Sequence, residues 1–252
     1  MQTSIKWVVV AALAIATVPS LVTSAAAEEA RERRLVQQVV DPGTGSRIRV
    51  YQTGPAAFTL EIAKDDVSVT KDVGLRQLVT TIRSGADTLV LTTEPTGLIV
   101  RTATETTRFT RESVDGAERL RDIVRGSQAV RRAAELVRGM ALPAKNPLNA
   151  VLFATRATLL AAVDDHAGLA ELTRTMTEAT RTTRFVRVVD EGPGDCWNEY
   201  AKEAIAAYME FEDCMKNSTF FERALGTCEA IYSMRAIGAL AWWVKCVGLS
   251  NT

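Results

Sequence analysis

Residues 46–70 read SRIRVYQTGPAAFTLEIAKDDVSVT, and their apolar side chains fall on alternate positions. Ile48 and Val50 alternate with Arg47 and Arg49, Phe58, Leu60 and Ile62 with Thr59 and Glu61, and Val67 and Val69 with Ser68 and Thr70. A period of two is that of strands with one buried and one solvated face. Lys64-Asp65-Asp66 makes a turn between two of these runs, and Glu94-Pro95-Thr96-Gly97 makes another between Thr88–Thr92 and Leu98–Thr102. Connections this short demand antiparallel neighbours, because a parallel pair needs a long crossover. Residues 46–111 therefore predict a β-meander; Leu75 to Arg83 fits either a short helix or a further strand.

Downstream the period changes. Leu120, Ile123, Ser127, Val130, Ala134 and Val137 recur at three-four spacing across residues 113–139, with Gly126 as an internal weak point costing about 1 kcal/mol relative to Ala. Leu148, Val151, Leu152, Thr155, Leu159 and Val163 form a second stripe, and Leu169, Leu172, Met176 and Ala179 a third. Phe185, Val186, Val188 and Val189 suggest a returning strand. Strands followed by helices predict an α+β domain with the helices on one sheet face.

Upstream, Lys6, the apolar run Trp7–Val18, Pro19 and Ala25-Ala26-Ala27 have the form of a secretory signal cleaved after Ala27. The expectation is a secreted or periplasmic protein. The most apolar segment left, Ala236–Val244, is far shorter than the roughly 20 residues of a membrane span, so the mature chain is expected to have no transmembrane segment.

Composition shifts at Glu191-Gly192-Pro193-Gly194-Asp195, a sequence that continues neither helix nor strand. Residues 28–195 hold 23 Thr, 21 Arg, five aromatics and neither Trp nor Cys; residues 196–252 hold all four Cys and nine aromatics. The chain thus reads as a signal peptide (1–27), an α+β domain (28–190, strands about 46–111, helices about 113–182), a linker (191–195) and a C-terminal hairpin (196–252).

The cysteine spacing is the most specific signal. Cys196 and Cys214 are 18 residues apart, as are Cys228 and Cys246. That is five turns at about 3.6 residues per turn, so each pair shares one helix face. Residues facing each other across two antiparallel helices have numbers of constant sum, and Cys196 with Cys246 has the same sum as Cys214 with Cys228. One register closes both bridges. A Cys196–Cys214 bridge would join ends of one straight helix roughly 27 Å apart, against the 6 Å or so a disulfide spans. Trp197, Tyr200, Ala204, Tyr208, Phe211 and Met215 stripe the first helix, Asn217-Ser218 ends it, and Thr219 with Glu222 resembles a capping box opening the second. On that second helix Cys228, Ile231, Arg235, Gly238 and Trp242 share a face, with Tyr232 and Ala239 beside it.

Chemistry is sparse. Thirty basic and thirty acidic residues give no case for nucleic acid, and one histidine, His166, allows no multi-histidine metal site within the chain. A four-cysteine zinc site wants pairs about two to four residues apart, which these gaps deny. Asp164-Asp165-His166 is most simply a helix start, Asp65-Asp66 a solvated turn, and Arg131-Arg132 a polar helix face. Gly43-Thr44-Gly45-Ser46 lacks the lysine of a phosphate loop, and Asn217-Ser218-Thr219 matches a glycosylation sequon that capping explains equally well. No catalytic residue and no cofactor is expected.

The expected function is a non-enzymatic binding protein whose stapled hairpin meets a protein or cell-envelope partner, with Trp242 and Trp243 as candidate contacts, since aromatics concentrate at binding hot spots. The alternative is a precursor, with residues 28–195 as pro-region, releasing a toxin- or bacteriocin-like disulfide peptide. Against that alternative, the tail has five basic and seven acidic residues, whereas membrane-active helices are usually cationic.

Overall fold

Four two-residue hairpin turns organise the sheet. The pairs Gly54 with Ala57, Lys64 with Val67, Ser84 with Asp87 and Glu94 with Gly97 each close a strand onto its successor. Asp65 (φ 51°) and Gly85 (φ 57°) take up the left-handed backbone that such tight turns require. At the last of these turns a Cβ on Gly97 would lie 2.2 Å from the Phe109 carbonyl oxygen, so the approach of the next strand needs glycine there.

The computed structural model describes residues 33–55, 57–74, 77–94, 97–110, 114–143, 146–185, 196–217 and 227–246. The strands are β1 (Arg34–Val40), β2 (Arg47–Gly54), β3 (Ala57–Lys64), β4 (Val67–Val73), β5 (Leu78–Ser84), β6 (Asp87–Glu94), β7 (Gly97–Arg101) and β8 (Thr106–Thr110). They form one antiparallel sheet in sequence order. The helices are α1 (Val114–Gly126), α2 (Gln128–Arg138), α3 (Leu148–Ala162), α4 (His166–Phe185), α5 (Cys196–Asn217) and α6 (Thr227–Cys246). The architecture is α+β, a meander followed by helices and a disulfide-stapled hairpin. Arg33–Thr252 forms one compact unit. The expected signal segment 1–27, the expected linker 191–195, Val186–Val189 and the expected Thr219–Glu222 cap lie outside the described residues.

Register stacks the inner face of the sheet into rows. Ile48, Ile62, Val69, Ile82 and Leu89 form one. Val50, Leu60, Lys71, Thr80, Leu91 and Val100 form the next, and Phe58, Val73, Leu78, Thr93, Leu98 and Phe109 the third. Asp72, Arg83, Arg101 and Arg108 are exposed on the other face.

Of the two readings open for Leu75–Arg83, the strand is the one found: the described residues from Leu78 onward form β5. The structure departs from the sequence reading at three places. The sheet begins earlier than 46, at β1, an edge strand with Leu35 50% and Val40 57% exposed; with neither face fully buried it carries no clean alternation. The helix expected across 113–139 is two, parted at Ser127. Ser127 caps α2 by accepting from the Val130 N–H, and Asp87 of β6 accepts from Ser127 Oγ (3.0 Å) and the Ala129 N–H (2.8 Å). A strand residue thus helps to start the second of the two helices. Phe185, expected in a returning strand, closes α4.

α2 lies against β4, β5 and β6, and α6 against β1 and β4. α3 touches each of the five other helices among the described residues. Its buried residues run right round it, from Leu148 and Val151 to Phe153, Ala157 and Leu160, as befits a helix buried on every side. Arg156 of α3 donates to the Val137 (3.0 Å) and Met140 (3.2 Å) carbonyls, satisfying groups at the end of α2.

Candidate functional site: a cavity between sheet and helices

The inner face of β5 and β6 carries threonines, Thr80 and Thr93, in phase with Ile82 and Leu91. Short side chains there, with Ala162 at the end of α3, leave space that longer ones would fill. The result is a cavity of about 410 Å³, within the range of small-molecule sites. Its floor is Leu78, Thr80, Ile82, Leu91, Thr93 and Leu98 of β5–β7. Its roof comes from Leu120 and Val124 of α1, Val130 of α2, Thr158, Leu159 and Ala162 of α3, and Leu169 of α4.

Two charged groups break this apolar wall where it is most buried. Lys71 of β4 and Glu229 of α6 both line the cavity, joined Nζ to Oε1 as an ion pair, with side chains 2% and 5% exposed. Lys71 stands on the inward phase of β4 between Val69 and Val73, flanked across the sheet by Leu60 and Thr80. Burial draws its ammonium well below the ordinary lysine range. Arg125 and Asp164, 45% and 47% exposed and ion-paired, stand with exposed His166 at the solvent side of the lining.

The hairpin supplies Glu229 because it is docked. Cys196–Cys246 and Cys214–Cys228 are both bridged, with Cα separations of 5.8 and 5.7 Å, in the register the spacing predicts. Phe153 of α3 receives Tyr208, Phe211 and Tyr232 edge-on, at centroid distances of 5.1, 5.6 and 5.9 Å. Tyr200 donates to the Pro147 carbonyl and Tyr232 to the Ala150 carbonyl. The face of α6 turned to the body is Glu229, Tyr232, Ser233, Ala236, Ile237 and Leu240, all buried. The stripe read as Cys228, Ile231, Arg235, Gly238 and Trp242 lies elsewhere: Arg235 reaches Glu210 and Glu203 of α5, and Ile231 and Trp242 are 51% and 46% exposed.

The two tryptophans singled out in the sequence go different ways. Trp242 is exposed, whereas Trp243 is partly buried against the core with its ring 6.3 Å from Tyr200. Asp165 accepts from the Gly168 N–H (2.9 Å), starting α4 as expected. Asp66 does more than solvate its turn, because Arg132 of α2 grips it through both guanidinium nitrogens.

The sequence reading missed Lys71 and Glu229. Lys71 had a signal, since it continues the inward phase of Val67 and Val69. Glu229, in the first turn of α6, looks like an ordinary acidic residue at a helix start. Among the described residues no helix is long and apolar enough to cross a membrane, and no group of three or more His, Cys, Asp or Glu stands together as metal ligands. Two disulfides fit an extracellular or periplasmic protein. Comparison with protein-family models, curated proteins and solved structures finds no match.

Proposed function

We propose that this chain is an exported, non-enzymatic binding protein that carries an apolar small molecule in the cavity between its sheet and helices. The observation that carries the reading is the cavity itself, largely apolar on floor and roof with one charged pair in its buried wall. A few convergent polar groups in an apolar pocket are the usual form of a ligand site. Residues 1–27 would direct export, with cleavage after Ala27, and the two disulfides suit the destination.

The hairpin then belongs to the site, through Glu229. Its docking favours this reading over the precursor, because releasing residues 196–252 would pull a buried carboxylate away from Lys71 and two tyrosine hydroxyls away from α3. Trp242 is the residue through which a protein or cell-envelope partner would meet the carrier; Trp243 serves the hairpin's packing.

The test is titration of the oxidised mature chain with N-phenyl-1-naphthylamine, a neutral apolar fluorophore. Saturable one-site enhancement is expected, and Ala162→Trp, which fills the cavity, should abolish it with melting temperature and circular dichroism unchanged. Absence of saturable binding to the native protein would sink the proposal.

A further inference from the structure

The middle row of the sheet's inner face is Val50, Leu60, Lys71, Thr80, Leu91 and Val100. One position of six is charged, and the charge it meets comes from a different part of the chain, Glu229 on the stapled hairpin. The two neutralise each other. A second charge in the same buried wall would therefore enter without a counter-charge, which is heavily disfavoured in an apolar interior.

Hydrogen-bonding capacity is a separate matter. An ammonium has three N–H donors and a carboxylate has about four lone-pair sites. Among the described residues neither Lys71 nor Glu229 has a partner beyond the other. Both line the cavity. The wall thus offers a donor and an acceptor side by side, with no net charge, facing a floor of Leu78, Thr80, Ile82, Leu91, Thr93 and Leu98, while Arg121, Arg125, Asp164 and His166 line the cavity elsewhere.

Resting on the reading that the cavity holds an apolar small molecule, we infer that the ligand's polar end is an uncharged group that both donates and accepts a hydrogen bond, a hydroxyl above all, seated against Lys71 and Glu229. Its hydroxyl donates to the Glu229 carboxylate and accepts from the Lys71 ammonium, while its hydrocarbon lies along β5–β7. The ligand class is a long-chain or polycyclic alcohol rather than a fatty acid or a cationic amphiphile.

The experiment is displacement of N-phenyl-1-naphthylamine from the mature protein at neutral pH by decane, 1-decanol, decanoate and decylammonium, which share a chain and differ at its end. The alcohol is expected to displace the probe at roughly tenfold lower concentration than each of the others, the worth of one hydrogen bond to a charged group. In the double variant Lys71→Met with Glu229→Leu the probe still binds, and the lead of the alcohol shrinks to about twofold or less, as the pair's contribution disappears. A lead for decanoate or decylammonium, or an alcohol lead that survives in the double variant, overturns the inference. Should the double variant fail to fold, the ranking on the native protein decides alone. Equal displacement by all four leaves the cavity reading standing and removes this one; failure of the probe to bind the native protein removes both.

Discussion

Two ion pairs tie a helix to neighbouring strands of this sheet, and they sit in different media. Arg132 of α2 grips Asp66 at the β3–β4 turn with side chains 39% and 46% exposed, and Ser84 shares the same guanidinium at 2.9 Å. Lys71 and Glu229 join β4 to α6 a few residues along the same strand, almost wholly out of water. Attraction between exposed charges is weakened by water and salt, and such pairs typically contribute little. A buried pair has surrendered hydration that its mutual attraction seldom returns in full, so removing one partner is costly while removing both can be neutral. The surface pair is a convenience of folding; the buried pair is a liability that stability alone does not explain, and that is the ground on which a binding site is proposed there.

The sharpest way to break this contrast is Glu229→Leu. It strands an ammonium among apolar groups and should lower unfolding free energy by about 3–5 kcal/mol in urea titrations of the oxidised protein. Adding Lys71→Met should return most of the loss; a double variant as unstable as the single would mean that the pair does not behave as buried charge. The single variant also has a pH signature. Burial depresses the folded pKa of Lys71, so between that value and the ordinary lysine range the unfolded chain binds more protons, and stability should rise with pH across that window.

Next in size is the inner bridge. Replacing Cys214 and Cys228 with alanine should cost about 3 kcal/mol by loop entropy. Since Cys228 adjoins Glu229, this loss should combine less than additively with Glu229→Leu in a double-mutant cycle. Smaller again are the tyrosine anchors: Tyr200→Phe and Tyr232→Phe should each cost about 1 kcal/mol. Burial raises both phenol pKa values above the ordinary 10.0. Their contribution is therefore complete below that pH and lost as pH climbs through the raised values, so the double Phe variant should flatten the alkaline limb of a stability profile. The smallest effect belongs to Asp66→Asn. The hydrogen bond from Arg132 lowers the Asp66 pKa, so the pair's contribution is present above the usual carboxylate range, fades as pH falls through the lowered value, and should vanish in high salt in thermal melts.

The same contrast between local and distant causes separates what the sequence made legible from what it hid. Strands β2–β4 and the β6–β7 pair were readable because alternation and two-residue turns are local. The disulfide pairing was readable because helical repeat and antiparallel register fix it without reference to the rest of the chain. The break at Ser127 was not, because the carboxylate that stabilises the second helix start comes from Asp87, on a strand. α3 showed a stripe where the structure buries it all round, since five other helices close on it. The cavity was hidden for the same reason: Thr80, Thr93 and Ala162 are unremarkable until sheet and helices are brought face to face. Lys71 was visible as an in-phase charge, but its meaning depends on a carboxylate far along the chain.

One further consequence follows from the placement of the two bridges. Helix ends ordinarily open on their own, at a free energy well below that of global unfolding. In α6 the first turn is held by Cys228 and the last residue is Cys246, each bonded to α5. The amide hydrogens at the two ends of α6 should therefore exchange with solvent on the slow timescale of the whole hairpin rather than the fast one of a frayed terminus. Fraying of the helix end is thereby closed to Glu229, one residue past the first bridge, as a way to leave Lys71, and the pair is expected to part chiefly when the hairpin leaves the sheet as a single body.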